Sequence, residues 1–180
     1  MKKNNQINYL RASVDQLQKS SEFRSLAVIM LAISLEKQVK NVVVYNYRKS
    51  GLTASFIRRR LLKGMGYAEL LHEIEWCGRF KENKKLKKIW QEQKTPIKNL
   101  FGVMETRNKI VHSNARFSSV TIDESVNQLL LVMEKLGQIF QENFDYNGLE
   151  ALPKTIKIKD LNVSAQFFHK SIVSRYKGQK

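Results

Sequence analysis

Apolar residues recur along the chain at intervals that predict helices rather than strands. In the first segment these positions are Ile7, Leu10, Val14 and Leu17. Their spacing of three and four predicts an amphipathic helix over 6–19. A largely apolar stretch predicts a long helix over 21–49, which ends where Gly51 can adopt a left-handed conformation.

Turn and capping residues divide the next part of the chain. Thr53 is placed to cap a helix that carries three consecutive arginines, and this helix breaks at Gly64 and Gly66. A further helix is predicted over 67–78. The side chains of Glu73 and Glu75 on that helix are expected to be solvated.

Two more helices are predicted in the second half. Thr95–Pro96 is a good helix start, and that helix should run to about residue 113. A capping box over 121–124 predicts a helix to about residue 145, closed by Asn147–Gly148. We therefore expect an all-α bundle of about five to six helices over 1–150. A basic extension over 151–180 follows, which is either a docked segment or disordered.

Composition narrows the possible functions. The 180 residues are 42% hydrophobic, which suits one core, and the single Cys77 excludes a disulfide framework or a multi-cysteine metal site. His72 and Glu73 begin like the H-E-x-x-H zinc motif. Trp76 stands where the second histidine would be, so the motif is absent. We expect no metal and no cofactor.

The apolar run over 26–35 is too short to cross a membrane and no secretory signal is seen, so we expect a cytoplasmic protein without membrane contact.

The net charge of +16 indicates an anionic partner, with nucleic acid first and an acidic protein or membrane surface next. Residues 79–98 carry eight basic residues against two glutamates, and residues 154–180 carry seven against Asp160 alone. These stretches predict either solvated faces or surfaces that follow phosphates. The candidate RNA contacts are Arg58, Arg59, Arg60, Lys84, Lys85, Lys87, Lys88 and Trp90.

The chemically informative segment spans 100–114. On a helix its apolar residues form one stripe: Leu100, Val103, Met104, Ile110 and Val111. Arg107 falls near the middle of this stripe, where a charge is costly unless it meets an anion or lines a cleft. Asn108 and His112 are four residues apart, so Asn108 can contact or orient His112.

These residue types suit RNA cleavage without a metal. A histidine can take the proton of the 2′-hydroxyl or give one to the leaving 5′-oxygen near neutral pH, and a guanidinium can bind the phosphate as its charge grows. A single histidine is poorly suited to perform both proton transfers. A symmetric dimer would bring two such histidines together.

The run Arg107-Asn108-Lys-Ile-Val-His112 resembles the R-x(4–6)-H signature of HEPN domains, including the polar residue directly after the arginine. The resemblance implies a helical bundle that dimerises so that both motifs line one cleft. It also implies a metal-independent endoribonuclease of a prokaryotic cytoplasm, commonly a toxin or antiviral defence effector, that leaves a 2′,3′-cyclic phosphate. Arg107, His112 and Asn108 would then be the catalytic residues.

Four other residues are possible supporting members of the site. Glu36 and Lys40 resemble the E-x3-K-R motif of some HEPN families, although Asn41 replaces the arginine, and they also fit an ordinary i,i+4 ion pair. Ser113 and Asn114 follow the main motif and either line the cleft or end the helix.

Two other functions fit the same charge. One is a non-catalytic nucleic-acid-binding bundle. The other is an interaction module held by an acidic antitoxin or a defence-complex partner.

Overall fold

The computed structural model describes residues 5–49, 51–77, 103–112 and 116–156. All regular elements in these ranges are helices, which confirms the predicted all-α class. They are α1 (Asn5–Gln18), α2 (Arg24–Lys49), α3 (Ala54–Phe56), α4 (Tyr67–Cys77), α5 (residues 103–112) and α6 (Ser119–Phe144). The short α3 continues directly into a π-helical turn, Ile57–Leu61.

The long helix α2 is the centre of the bundle, with α1, α4 and α6 packed around it. Leu31 and Leu35 of α2 are fully buried, as are Met133 and Phe140 of α6. The removal of this apolar surface from water is the main favourable term that holds the helices together. In the described part of the chain, no helix combines the length and apolarity needed to cross a bilayer.

The predicted signals around the end of α2 are confirmed. Gly51 has a φ of 85°. Its N–H donates to the Arg48 carbonyl at 3.0 Å, while the Leu52 N–H donates to the Tyr47 carbonyl at 3.4 Å. Thr53 then caps α3, because its side chain accepts from the Phe56 N–H at 3.2 Å.

The predicted end of α6 near residue 145 is confirmed, but the predicted start and the predicted closing residues are wrong. The helix begins at Ser119, and the side chain of Ser118 accepts from the Thr121 N–H at 3.2 Å. Thr121 is therefore the capped residue and not the cap. At the other end Asp145, with a φ of 59°, terminates the helix, before Asn147–Gly148 is reached.

Gly148 lies in the loop that follows α6, where the absence of a side chain lets this loop pack closely against α2. A Cβ atom added there would lie 2.4 Å from the carbonyl oxygen of Gln38, a separation that no side chain tolerates. The loop is held by the carboxamide of Asn41, which donates to the Gly148 carbonyl at 3.1 Å, and by that of Gln38, which donates to the Asn147 carbonyl at 3.1 Å.

Glu73 is buried, which contradicts the expected solvated position. It accepts a hydrogen bond from the Tyr47 hydroxyl of α2. The side chain of Glu75 lies outside the description.

The start of the basic extension docks on α2. Arg48 donates to the carbonyls of Pro153 at 2.8 Å and Lys154 at 3.0 Å. Residues 157–180 and the predicted helix start at Thr95–Pro96 lie outside the described ranges.

Candidate functional site around Arg107

Helix α5 lies on the bundle through the apolar side that the sequence predicted. Val103 is buried, and Met104 and Ile110 pack against the core while partly buried. Val111, the fourth described member of the stripe, is 43% exposed. Leu100, the remaining predicted member, lies outside the described residues.

Arg107 is half-buried on this apolar side, as its position in the stripe predicted. Its Nη1 donates to Oδ1 of Asn108 at 2.7 Å. Its Nε is buried and has no hydrogen-bond partner among the described residues. One N–H of the guanidinium is therefore bonded to the neighbouring residue, and another is buried without an acceptor. A buried charged donor without an acceptor is energetically unfavourable.

Asn108 is exposed and lies between Arg107 and His112 around the helix. At about 100° per residue, His112 is about 40° beyond Asn108 and about 140° from Arg107. The hydrogen bond to Asn108 therefore draws the guanidinium round the helix toward the side that carries His112. The predicted contact between Asn108 and His112 is not among the hydrogen bonds of the described residues, and the carboxamide oxygen positions Arg107 instead.

His112 is exposed in the last turn of α5. No hydrogen bond holds its imidazole among the described residues, so both ring nitrogens are open to a ligand there. The outer side of the same helix carries an ion pair between Lys109 and Glu105, with 2.9 Å between Nζ and Oε1. Arg107 has no such carboxylate partner in the described part of the chain, so its positive charge remains available to an anion.

Among the described residues, neither Glu36 nor Lys40 is hydrogen-bonded to a residue of the Arg107–His112 motif. Glu36 and Lys40 are half-buried on α2, and the described contacts include no ion pair between them, contrary to the simpler interpretation of their spacing. Asn41, which replaces the arginine of the E-x3-K-R pattern, is buried and holds the Gly148 loop. That position is therefore structural here.

Two of the predicted RNA contacts are placed on a separate element. Arg58 and Arg59 are exposed on the π-helical turn after α3. The remaining predicted residues have side chains outside the description: Arg60, Lys84, Lys85, Lys87, Lys88, Trp90, Ser113 and Asn114.

A cavity of about 630 Å³ is lined in part by residues that follow the Arg107–His112 motif along the chain. The sequence did not predict this cavity. It lies where the first turns of α2 and α6 approach each other, and Arg24, Arg116 and Phe117 are among its lining residues. Arg116 follows His112 by four residues. Arg24 also donates to the Gln18 carbonyl at 3.1 Å, so it has a structural partner as well. The two helix starts are remote in sequence, and no local signal brings them together.

Carboxylate, histidine and cysteine side chains do not form a group of three suited to a metal ion anywhere in the described ranges. A search of protein-family models, curated proteins and solved structures finds no match to this chain. The functional conclusion therefore depends on the residues themselves.

Proposed function

We propose that this chain is a metal-independent endoribonuclease of the HEPN type, which acts on RNA through Arg107 and His112. The observation that carries the proposal is the half-buried Arg107. Its guanidinium is held by Asn108 at 2.7 Å and keeps a buried Nε without a partner. A charge in that position is costly in the free protein, and an anionic phosphate would offset the cost.

The chemistry follows from the three side chains. The 2′-oxygen of the RNA attacks the adjacent phosphorus, and the bond from phosphorus to the 5′-oxygen breaks, which leaves a cyclic phosphate and a 5′-hydroxyl. A neutral His112 takes the proton of the 2′-hydroxyl, or a protonated His112 supplies the proton of the leaving oxygen. Arg107 stabilises the charge that grows on the phosphate, and Asn108 holds Arg107 in position.

One motif contains one histidine, whereas the reaction moves two protons. A homodimer with both copies of α5 at one cleft would supply a base and an acid together. A free ribonuclease also endangers the cell that makes it. The proposal therefore includes a toxin or antiviral role in a prokaryotic cytoplasm and an acidic antitoxin or defence-complex partner that covers the basic surface.

The proposal is tested with purified wild type, Arg107→Ala, His112→Ala and the control Lys109→Ala, incubated with total RNA in excess EDTA. Lys109 belongs to the same helix, but it is paired with Glu105 on the outer side. We expect Arg107→Ala and His112→Ala to lose at least about 100-fold in cleavage rate, which is the usual effect of removing a proton-transfer group or a charge-stabilising donor. Lys109→Ala should cleave like wild type.

Thermal melting of each variant separates loss of chemistry from loss of fold. Equal cleavage by wild type and His112→Ala would contradict the proposal. RNA binding that is sensitive to salt and unaffected by His112→Ala, with no cleavage by any of the proteins, would instead support a non-catalytic nucleic-acid-binding bundle.

A further inference from the structure

The π-helical turn after α3 has an unusual arrangement of apolar residues. Ile57 and Leu62 are five positions apart, and both are fully buried. In a regular α-helix they would point about 140° apart, so one of them would face solvent. The Leu62 N–H donates to the Ile57 carbonyl at 3.0 Å, which is the wider hydrogen bond of a π-helix and lets both residues enter the core.

Four described residues between and around this buried pair are exposed to solvent. Arg58, Arg59 and Lys63 are exposed, and Phe56 is 44% exposed. We call these four residues the Arg58 surface. In the described part of the chain none of its three basic groups forms an ion pair with a carboxylate. A local distortion of the helix thus presents unneutralised positive charge beside an exposed aromatic ring.

Arg58 also acts electrostatically on Tyr146, a buried tyrosine that packs against Tyr45 of α2. Burial raises the pKa of Tyr146 to about 12, Glu150 adds to the rise and Arg58 opposes it, so Arg58 acts on the Tyr146 ring electrostatically. That ring lies 4.7 Å from the ring of Tyr45, and Nζ of Lys49 lies 4.4 Å from the Tyr45 centroid. The Tyr146 ring is buried and belongs to the core, so it offers no face to a base. The Arg58 surface is therefore limited to its four residues.

This combination fits a flexible strand that carries both phosphates and bases. Guanidinium groups without carboxylate partners bind phosphate oxygens, and an exposed ring offers a base a face on which to stack. A membrane surface is a poorer match, because the described residues of the Arg58 surface include one large apolar side chain rather than an apolar helix face.

We infer that Phe56, Arg58, Arg59 and Lys63 form a binding surface for single-stranded RNA, on a different element from the Arg107–His112 motif. Arg58 and Arg59 contact the phosphates and Phe56 stacks on a base. The inference rests on the proposed function for the choice of RNA as the ligand. It assigns the surface to holding the substrate and not to the chemical step.

The test measures binding of a fluorescent 2′-O-methyl RNA oligonucleotide to the full chain by anisotropy at several salt concentrations. The 2′-O-methyl group removes the nucleophile, so binding is measured without cleavage. Arg58→Ala/Arg59→Ala is compared with Lys37→Ala/Lys135→Ala, which removes two exposed charges from α2 and α6. We expect the slope of log K against log salt to fall by about 0.7 for each lost phosphate contact in the arginine variant only.

Phe56→Ala tests stacking against Leu131→Ala, which truncates another exposed apolar side chain. We expect Phe56→Ala alone to bind about tenfold more weakly. An unchanged salt slope in the arginine variant would overturn the inference. So would unchanged RNA binding together with lost binding to phosphatidylserine vesicles, which would assign the surface to a membrane. A wild type that binds through these residues but does not cleave RNA would contradict the proposed function and leave this inference standing.

Discussion

Three described side chains contain a buried polar atom without a hydrogen-bond partner: Gln38 Oε1, Tyr67 Oη and Arg107 Nε. Gln38 has a structural explanation, because its amide nitrogen joins the carbonyls of Met133 at 2.9 Å and Asn147 at 3.1 Å. Tyr67 is neutral, and burial raises the pKa of its hydroxyl. Arg107 is the one charged member of this set, so its unsatisfied N–H is the best of the three indications of a missing ligand.

Two buried tyrosines, Tyr67 and Tyr47, test how much the hydrogen bonds of buried hydroxyl groups contribute to the stability of this core. Tyr67→Phe removes a hydroxyl without a partner, so the free energy of unfolding should stay constant or rise by up to about 1 kcal/mol. Tyr47→Phe removes the hydrogen bond to the buried carboxylate of Glu73 and should lower the free energy of unfolding by about 2 kcal/mol. Urea denaturation measures both. Equal destabilisation by the two changes would refute this assignment of their hydroxyl groups.

At the scale of elements, short-range signals predicted the end of α2 and the cap of α3, but they did not decide the start of α6 or the contacts between helices. Gly51 and Thr53 were predicted correctly because the groups that they bond to lie three residues from them along the chain. The start of α6 was misplaced because Ser118 and Thr121 are both good caps, and only the folded helix shows which N–H is bonded. Glu73 was misjudged because its partner lies 26 residues away on another helix.

Two glycines, Gly51 after α2 and Gly148 after α6, give a second test, because both have a left-handed backbone but differ in their surroundings. Gly51 has no atom within 4 Å of an added Cβ, whereas at Gly148 that atom would lie 2.4 Å from the Gln38 carbonyl oxygen. Gly51→Ala should therefore cost about 1 kcal/mol of stability from its backbone alone. Gly148→Ala should cost about 3 kcal/mol, because α2 and the loop must also move apart. Chemical denaturation of both variants measures the difference, and equal costs would show that the loop does not pack against α2 as described.

At the scale of the whole molecule, the positive charge is unevenly distributed. The described residues contain 16 basic and 13 acidic side chains, which is close to balance. Residues 78–102 contain eight basic against two acidic residues, and residues 157–180 contain six against one. Composition therefore predicted an anionic partner but could not locate its binding surface. The described bundle adds two local positive features, Arg107 and the Arg58 surface.

In the candidate site, too, the sequence predicted a position on one helix but did not predict the contacts that depend on side-chain length or on packing between helices. Periodicity alone placed Arg107 on the core-facing side of α5, and the structure confirms that position. The hydrogen bond from Arg107 to Asn108 was not predicted, because neighbouring residues on a helix diverge and the length of the arginine side chain decides the contact. The cavity beside Arg116 was missed because it depends on how α2 and α6 pack together.

The most direct measurement of the central claim is the chemistry of the RNA ends after cleavage in excess EDTA. An RNA and its 2′-O-methyl counterpart of the same sequence are incubated with wild-type protein, and the product ends are identified by mass spectrometry. We expect 2′,3′-cyclic phosphate and 5′-hydroxyl ends from the RNA and no cleavage of the 2′-O-methyl strand. Cleavage of the 2′-O-methyl strand, or products with 5′-phosphate ends that form only when a divalent metal is restored, would contradict this claim.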